Sequence, residues 1–222
     1  MTSKIKITIF PNKKNLFYWP AAKKIVSIIR ESSKKFPDWI LICNNDITFS
    51  DKFFFKYLKS INSKRYPIIG PDILNDVGNH LNPFMLKPLN IIQKIYWKFY
   101  FSSYIISKIL LIIKKTMKSI LIKNKKIKSQ KKQIVYSVHG SGILFSSHFF
   151  NSGGWLDGNF DLYGEELSVS EIAKKVSTPI TYFPDLKINH HEHSITKLIN
   201  KKLLYEKSRQ SYFYIEAKYF KK

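Results

Sequence analysis

Trp39-Ile40-Leu41-Ile42-Cys43 is a run without a polar side chain that stops abruptly at Asn44-Asn45-Asp46. It is too short for a buried helix, and its unbroken apolar character is that of a strand covered on both faces, as parallel strands are in α/β proteins. The flanking sequence agrees. Pro20 sits at a first-turn position before Ile25, Ile28 and Ile29, which share one helical side, and Pro37 closes that segment. Ser50 is placed to cap a second helix carrying Phe53, Phe54, Tyr57, Leu58 and Ile61, and residues 66–71 form another apolar strand. Upstream, Lys4, Lys6 and Thr8 alternate with Ile5, Ile7 and Ile9, which predicts an opening strand over residues 4–10 and a turn over 11–15. Strand and helix alternate, so the expectation is an α/β fold, a mixed sheet flanked by helices. With 222 residues and 44% hydrophobic content, the chain suffices for one domain with its own core.

The middle of the chain changes character. Ile92, Ile95, Tyr96, Phe99, Ile106, Ile109, Leu110, Ile113 and Met117 recur at helical spacing, which predicts one or two amphipathic helices within residues 89–121. A membrane span needs roughly 20 nearly uncharged residues, and the lysines interrupt every such window. The stripe either packs on the domain's own core or lies on anionic lipid. Residues 123–132 follow as a basic loop with almost nothing to bury.

Lys plus Arg number 38 against 15 Asp plus Glu, a net charge of +23, so the partner is expected to be anionic: lipid head groups, nucleic acid or a phosphorylated substrate. Only Arg30, Arg65 and Arg209 supply guanidinium groups, which counts against specific reading of nucleic acid. Cys43 is the sole cysteine; it excludes an intramolecular disulfide and a cysteine zinc site, and it fits a reducing cytosol. The first ten residues have no continuous apolar block of the kind a signal peptide carries.

Beyond the basic loop, strands are expected over residues 133–138 and 143–145, flanking His139-Gly140-Ser141-Gly142. A turn follows at Gly153-Gly154, a helix over 165–176, a strand over 180–183 and a C-terminal helix within 195–222. Three clusters within this frame carry chemistry. Asn44-Asn45-Asp46 ends a strand where open α/β sheets place ligands; its carboxylate would suit a divalent ion on a diphosphate, or the triplet forms a turn and cap. Adjacent Glu165 and Glu166 follow Gly164; they raise each other's pKa and leave one as a base, or they are solvated partners of a helix dipole. His190-His191-Glu192-His193 invites a metal, although neighbouring strand residues point to opposite faces and cannot all reach one ion.

The ordered set Asn44-Asn45-Asp46, Gly70-Pro71-Asp72-Ile73, His139-Gly140-Ser141, Gly153-Gly154, Leu162-Tyr163-Gly164-Glu165-Glu166 and Pro184-Asp185-Leu186 with His190-His191 resembles the rhamnosyltransferase-like branch of the family-two glycosyltransferases. The resemblance covers most of the chain, with residues 89–132 as a looser helical and basic-loop insertion. It implies a single GT-A domain over residues 1–222 and inverting transfer from a nucleotide-sugar donor to a glycan or lipid-linked acceptor in cell-surface polysaccharide synthesis. It implies Mn²⁺ or Mg²⁺ as cofactor; the single cysteine together with the amphipathic and basic region sets the expectation of a cytoplasmic location, peripheral on the inner face of the plasma membrane. Carried across, Asp46 and His191 are the implied metal ligands. Asn44, Asn45, Gly140, Ser141 and Gly164 line donor or acceptor, and Glu166, beside Glu165, is the implied base, where the family more often has aspartate.

Against the family pattern, the chain opens at what reads as the third strand, so a strand-helix-strand unit on the order of 30 residues, which grips the nucleotide, is expected to be missing or supplied by a separate chain. The alternative expectation is a catalytically inactive remnant, or a basic binding module without turnover.

Overall fold

The computed structural model describes residues 6–33, 35–121, 131–191 and 200–221, with side chains of residues 115–121 outside the description. The sheet has six strands: β1 (Trp39–Cys43), β2 (Ile47–Phe49), β3 (Ile68–Asn75), β4 (Gln133–Val135), β5 (Gly142–Ser146) and β6 (Ile180–His190). Their order is β1-β5-β3-β6-β2, with β4 also on β6. Only β3 and β6 run parallel, and the pairs β1/β5, β3/β5, β2/β6 and β4/β6 are antiparallel. This is the mixed sheet flanked by helices that the strand and helix alternation predicts.

The strands read as apolar throughout because both faces of the sheet are covered. Ile68, Ile143 and Phe145 face one core with Trp19, Val26 and Leu156, beneath α1 (Tyr18–Ser32) and α6 (Glu165–Lys175). Ile69, Leu144 and Ile188 face a second core with Phe54 and Leu58 of α2 (Phe54–Ser60). Each such side chain stabilises the fold by about 1.5–3 kcal/mol relative to exposure. Helices α3 (Ile91–Tyr100) and α4 (Tyr104–Leu121) follow β3, and the short α5 (Ser147–Asn151) follows β5. The chain closes with α7 (Lys201–Ile215), which continues into a π-helical turn, Glu216–Phe220. Phe101, Tyr205 and Tyr212 form a small third cluster that pins the α3–α4 connection to α7.

Several expectations are corrected. Residues 6–10 of the expected opening strand have no regular structure, and Ile7 and Ile9 are exposed; residues 1–5 lie outside the described set. β1 is an antiparallel strand at the end of the sheet order rather than a parallel one: Ile40 and Ile42 meet one core while Trp39 and Leu41 meet the other, so coverage of both faces makes it apolar without parallel pairing. Ser50 does not cap α2; the Asp51 carboxylate accepts the Phe53 N–H at 2.7 Å and the helix starts later. β6 runs on to His190, well past Phe183, because its register against β3 slips between Pro71 and Asp72 and accommodates Pro184. The expected basic loop falls largely on residues 122–130, and the start of the expected C-terminal helix on 192–199, outside the described residues.

Candidate functional site

The polar triplet after β1 crosses the ends of the intervening strands to reach β2. On that path the Asn44 N–H donates to the Ser141 carbonyl at 3.1 Å, and the Asp46 carbonyl accepts the His191 N–H at 2.8 Å. Asn45, at the tip of the turn, is exposed. These backbone bonds bring the end of β1, the start of β5 and the end of β6 to one place.

From Leu186 to His190, burial alternates with every second residue inward, so His190 shares the side of Leu186 and Ile188. Its Nε2 lies 3.1 Å from Asp46 Oδ1 and 3.2 Å from Asn44 Nδ2. The Asn44 amide and the Asp46 carboxylate thus both approach the same ring nitrogen. Asp46 Oδ1 and His190 Nδ1 are buried with no hydrogen-bond partner among the described residues. The 3.1 Å approach of Asp46 Oδ1 to Nε2 lacks hydrogen-bond geometry. Such a buried, unsatisfied carboxylate oxygen is costly unless a cation or donor meets it.

His191 points the other way, with Nε2 at 3.0 Å from Thr48 Oγ1 and Nδ1 at 2.9 Å from Asp76 Oδ1. The structure therefore brings the Asp46 side chain to the ring of His190, and His191 meets Asp46 through the backbone. Sequence reasoning named His190 without assigning it; the alternation of Leu186, Ile188 and His190 with Lys187 and Asn189 was the available signal.

The ring of His139 continues the cluster, its centroid 6.3 Å from that of His190 and its Nδ1 2.9 Å from Ser141 Oγ. Asn82, fully buried, holds this loop. Its amide donates to the Pro71 carbonyl at 2.8 Å and its carbonyl oxygen accepts the His139 N–H at 2.7 Å. The sequence reading missed Asn82 because its partners lie 11 and 57 residues away.

Gly140 is the hinge to the glutamate pair. Its N–H donates to Glu166 Oε1 at 3.1 Å and its carbonyl accepts the Tyr18 hydroxyl at 2.8 Å. A Cβ on Gly140 would stand 2.6 Å from Glu165 Cγ, so only glycine lets that side chain pass. Gly164, at φ 128°, adopts a left-handed backbone and, as the N-cap of α6, aims both glutamates back at Gly140.

Although both glutamates keep some solvent-accessible surface, their carboxyls are closely enclosed. Desolvation and the neighbouring Glu166 hold the Glu165 carboxyl well above the usual carboxylate range. Desolvation also raises Glu166, against hydrogen bonds from its own backbone, Gly140 and Gly164 that favour its ionised form. The Tyr18 hydroxyl is pushed well up by burial and by the charge of Glu165, which keeps it a donor. The site thus joins two halves: Asp46, Asn44 and His190 at one end, Glu165 and Glu166 at the other, with Gly140 and Ser141 between. An open hollow of about 500 Å³ lined by Ser27, Arg30, Glu31 and Trp155 shares no residue with it.

Among the described residues no group of three or more His, Cys, Asp or Glu side chains is arranged to hold a metal. Asp46 and His190 are a pair whose donor atoms lie 3.1 Å apart. One or two carboxylates with the remainder from phosphate and water are the usual complement for Mg²⁺, so Asp46 is a ligand of the usual kind and the imidazole a softer addition. The residues present fit a divalent ion bound together with a phosphorylated ligand.

No protein-family model and no curated protein matches the chain. Among solved structures, the chain is similar to the crystal structure of GalNAc-T7 with UDP, GalNAc and Mn²⁺, at 12% identity and a TM-score of 0.45. That alignment covers 82% of this chain and 32% of the other, so the chain spans about a third of the length of the protein it matches.

Proposed function

We propose that the chain is a GT-A-type glycosyltransferase site that moves a sugar from a nucleoside diphosphate donor to a hydroxyl acceptor, with inversion at the anomeric carbon. The observation that carries this reading is the placement of a raised, buried glutamate pair and a buried, unsatisfied Asp46 oxygen on either side of Gly140 and Ser141. A base that accepts a hydroxyl proton and an anion-handling end are the two things such a transfer requires.

In this reading Asp46 would hold a divalent ion together with His190, once the ring nitrogen is released from Asn44, and the ion would supply positive charge against the diphosphate. Glu166 takes the acceptor's proton as that oxygen bonds to the anomeric carbon; the bond from carbon to the diphosphate oxygen breaks, and the nucleoside diphosphate leaves with the electron pair. Of two adjacent carboxyls that repel one another, the one with more hydrogen bonds to its charged form ionises first. Glu166 accepts from Gly140 and Gly164, so it is the ionised partner and Glu165 the one that keeps its proton longer. Tyr18 fixes the Gly140 carbonyl, and Asn82 fixes the His139 loop, so the two halves keep their spacing.

The test is release of nucleoside diphosphate from a panel of UDP-, dTDP- and GDP-sugars with Mn²⁺, for the wild type and for Glu166→Gln. Removal of a general base is expected to reduce turnover about 10²–10⁴-fold while donor binding is retained. Turnover unaffected by Glu166→Gln contradicts the assignment. A folded protein with no turnover on any donor or sugar acceptor overturns the function in favour of a binding module.

A further inference from the structure

We infer that the α3–α4 segment is a docking surface for an anionic lipid bilayer, lying in the head-group region rather than crossing it. The inference stands on this surface alone and does not depend on the sugar-transfer reading. In α3 no residue is buried, and Ile92, Ile95 and Phe99, which fall within one side of the helix, are 74%, 49% and 61% exposed. In α4, Ile105, Ile109 and Ile113 likewise share a side and are 69%, 51% and 48% exposed. The opposite sides are already occupied: Trp97, Phe101 and Tyr104 pack with Tyr205 and Tyr212. Among the described residues, the apolar stripe is therefore left uncovered by the domain's own core. Exposed apolar side chains in this number on neighbouring helices mark a contact with another apolar body.

Charge selects the occupant. Every side chain of fixed charge between Asp76 and Asp157 is a lysine, and those on the two helices include Lys94, Lys98, Lys108 and Lys114. A second copy of the chain docked on this face would set lysine against lysine without a carboxylate to offset them. A nucleic acid would satisfy the lysines but leave the isoleucines and Phe99 in water. An anionic bilayer receives both, the apolar side chains reaching the acyl boundary and the lysines the head groups. Among the described residues no helix is long and apolar enough to cross a membrane, so the contact is with one leaflet.

The experiment is flotation of the full chain with phosphatidylcholine vesicles, with and without phosphatidylglycerol, at low and at 0.5 M salt. It compares wild type with Ile95→Glu/Phe99→Glu and with Lys94→Glu/Lys98→Glu, and far-ultraviolet circular dichroism and melting confirm that each variant folds. Binding to anionic vesicles that falls about tenfold or more in the apolar variant, and also falls in the lysine variant, is the expected result. Binding lost equally to salt and unaffected by Ile95→Glu/Phe99→Glu overturns it, since charge alone then accounts for the contact. Absence of vesicle binding, with a dimer in sedimentation velocity that the apolar variant dissociates, also overturns it and assigns the face to a second copy.

Discussion

Glu165 spends stability on its position. Its folded pKa lies above its ordinary value because burial and Glu166 disfavour the charge. A raised folded pKa means that the protonated carboxyl supports the fold below the ordinary glutamate value of about 4.3, and that this support is lost as pH rises through the raised value. Glu165→Gln, always neutral, should escape that loss. At pH 8 it is expected to melt roughly 2–4 °C above wild type, about 1 kcal/mol, with the difference gone at pH 4. An equal difference at both pH values would show that the carboxyl is not strained by its surroundings. Gly140→Ala is expected to do the reverse. Its Cβ would meet Glu165 Cγ at 2.6 Å, so the side chain must move, at about 1–3 kcal/mol in a guanidinium melt. A fully stable Gly140→Ala protein would mean that Glu165 has room the structure denies it.

At the scale of elements, the C-terminal helix and its π-helical turn are fastened to the body through Asp157. Tyr219 donates to its carboxylate at 2.6 Å, and Tyr214 and Lys218 each at 2.9 Å. Burial alone would raise this carboxyl, but the hydrogen bonds from Tyr219, Lys218 and Tyr214 outweigh it and hold the pKa below its usual value. A lowered folded pKa supplies stability above the ordinary aspartate value of about 3.9 that is lost as pH falls through the folded value. Asp157→Asn is therefore expected to cost about 2–3 kcal/mol at pH 7 and much less at pH 2, with proteolysis beginning in the C-terminal helix. An unchanged melt at pH 7 would remove Asp157 as the fastening.

How far these elements could be read beforehand depended on whether a local signal set them. Helix α6 follows from Gly164 and the acidic first turn, and β1 from its apolar run, because both signals are local. β6 past Phe183 was only partly legible: Leu186, Ile188 and His190 alternate with Lys187 and Asn189, but Pro184 and Asp185 interrupt the run, and the register slip against β3 carries the strand past them. The choice of His190 over His191 fell with it, since strand parity is defined only once the strand is known to extend that far. Asn82 and Tyr18 were invisible for another reason. Their roles rest on bonds to His139 and Gly140, which are remote in sequence.

For the whole molecule, the +23 net charge sets a self-repulsion that the fold carries everywhere, most heavily in the acid-free stretch between Asp76 and Asp157. Salt screens such repulsion over about 10 Å at 0.1 M. Raising sodium chloride from 20 to 300 mM is expected to lift the melting temperature by roughly 2–4 °C, about 1 kcal/mol, and a fall on adding salt would show that specific ion pairs outweigh repulsion. That same charge gathers anions without discrimination, so simple binding of a nucleotide is no proof of a site. The discriminating feature is the Asp46 oxygen, buried beside His190 and lacking a donor among the described residues.

The measurement that bears most directly on the account is therefore a thermal-shift titration of the full chain at 0.3 M salt with UDP, dTDP and GDP, each with and without Mn²⁺, for wild type, Asp46→Ala, His190→Ala and His191→Ala. Ligand bound only by the native state raises the melting temperature by mass action. The expected result is a rise that requires metal and nucleotide together, is lost in Asp46→Ala and His190→Ala, and survives in His191→Ala. A rise indifferent to metal and to Asp46, or no rise from a protein that melts cooperatively, would contradict it.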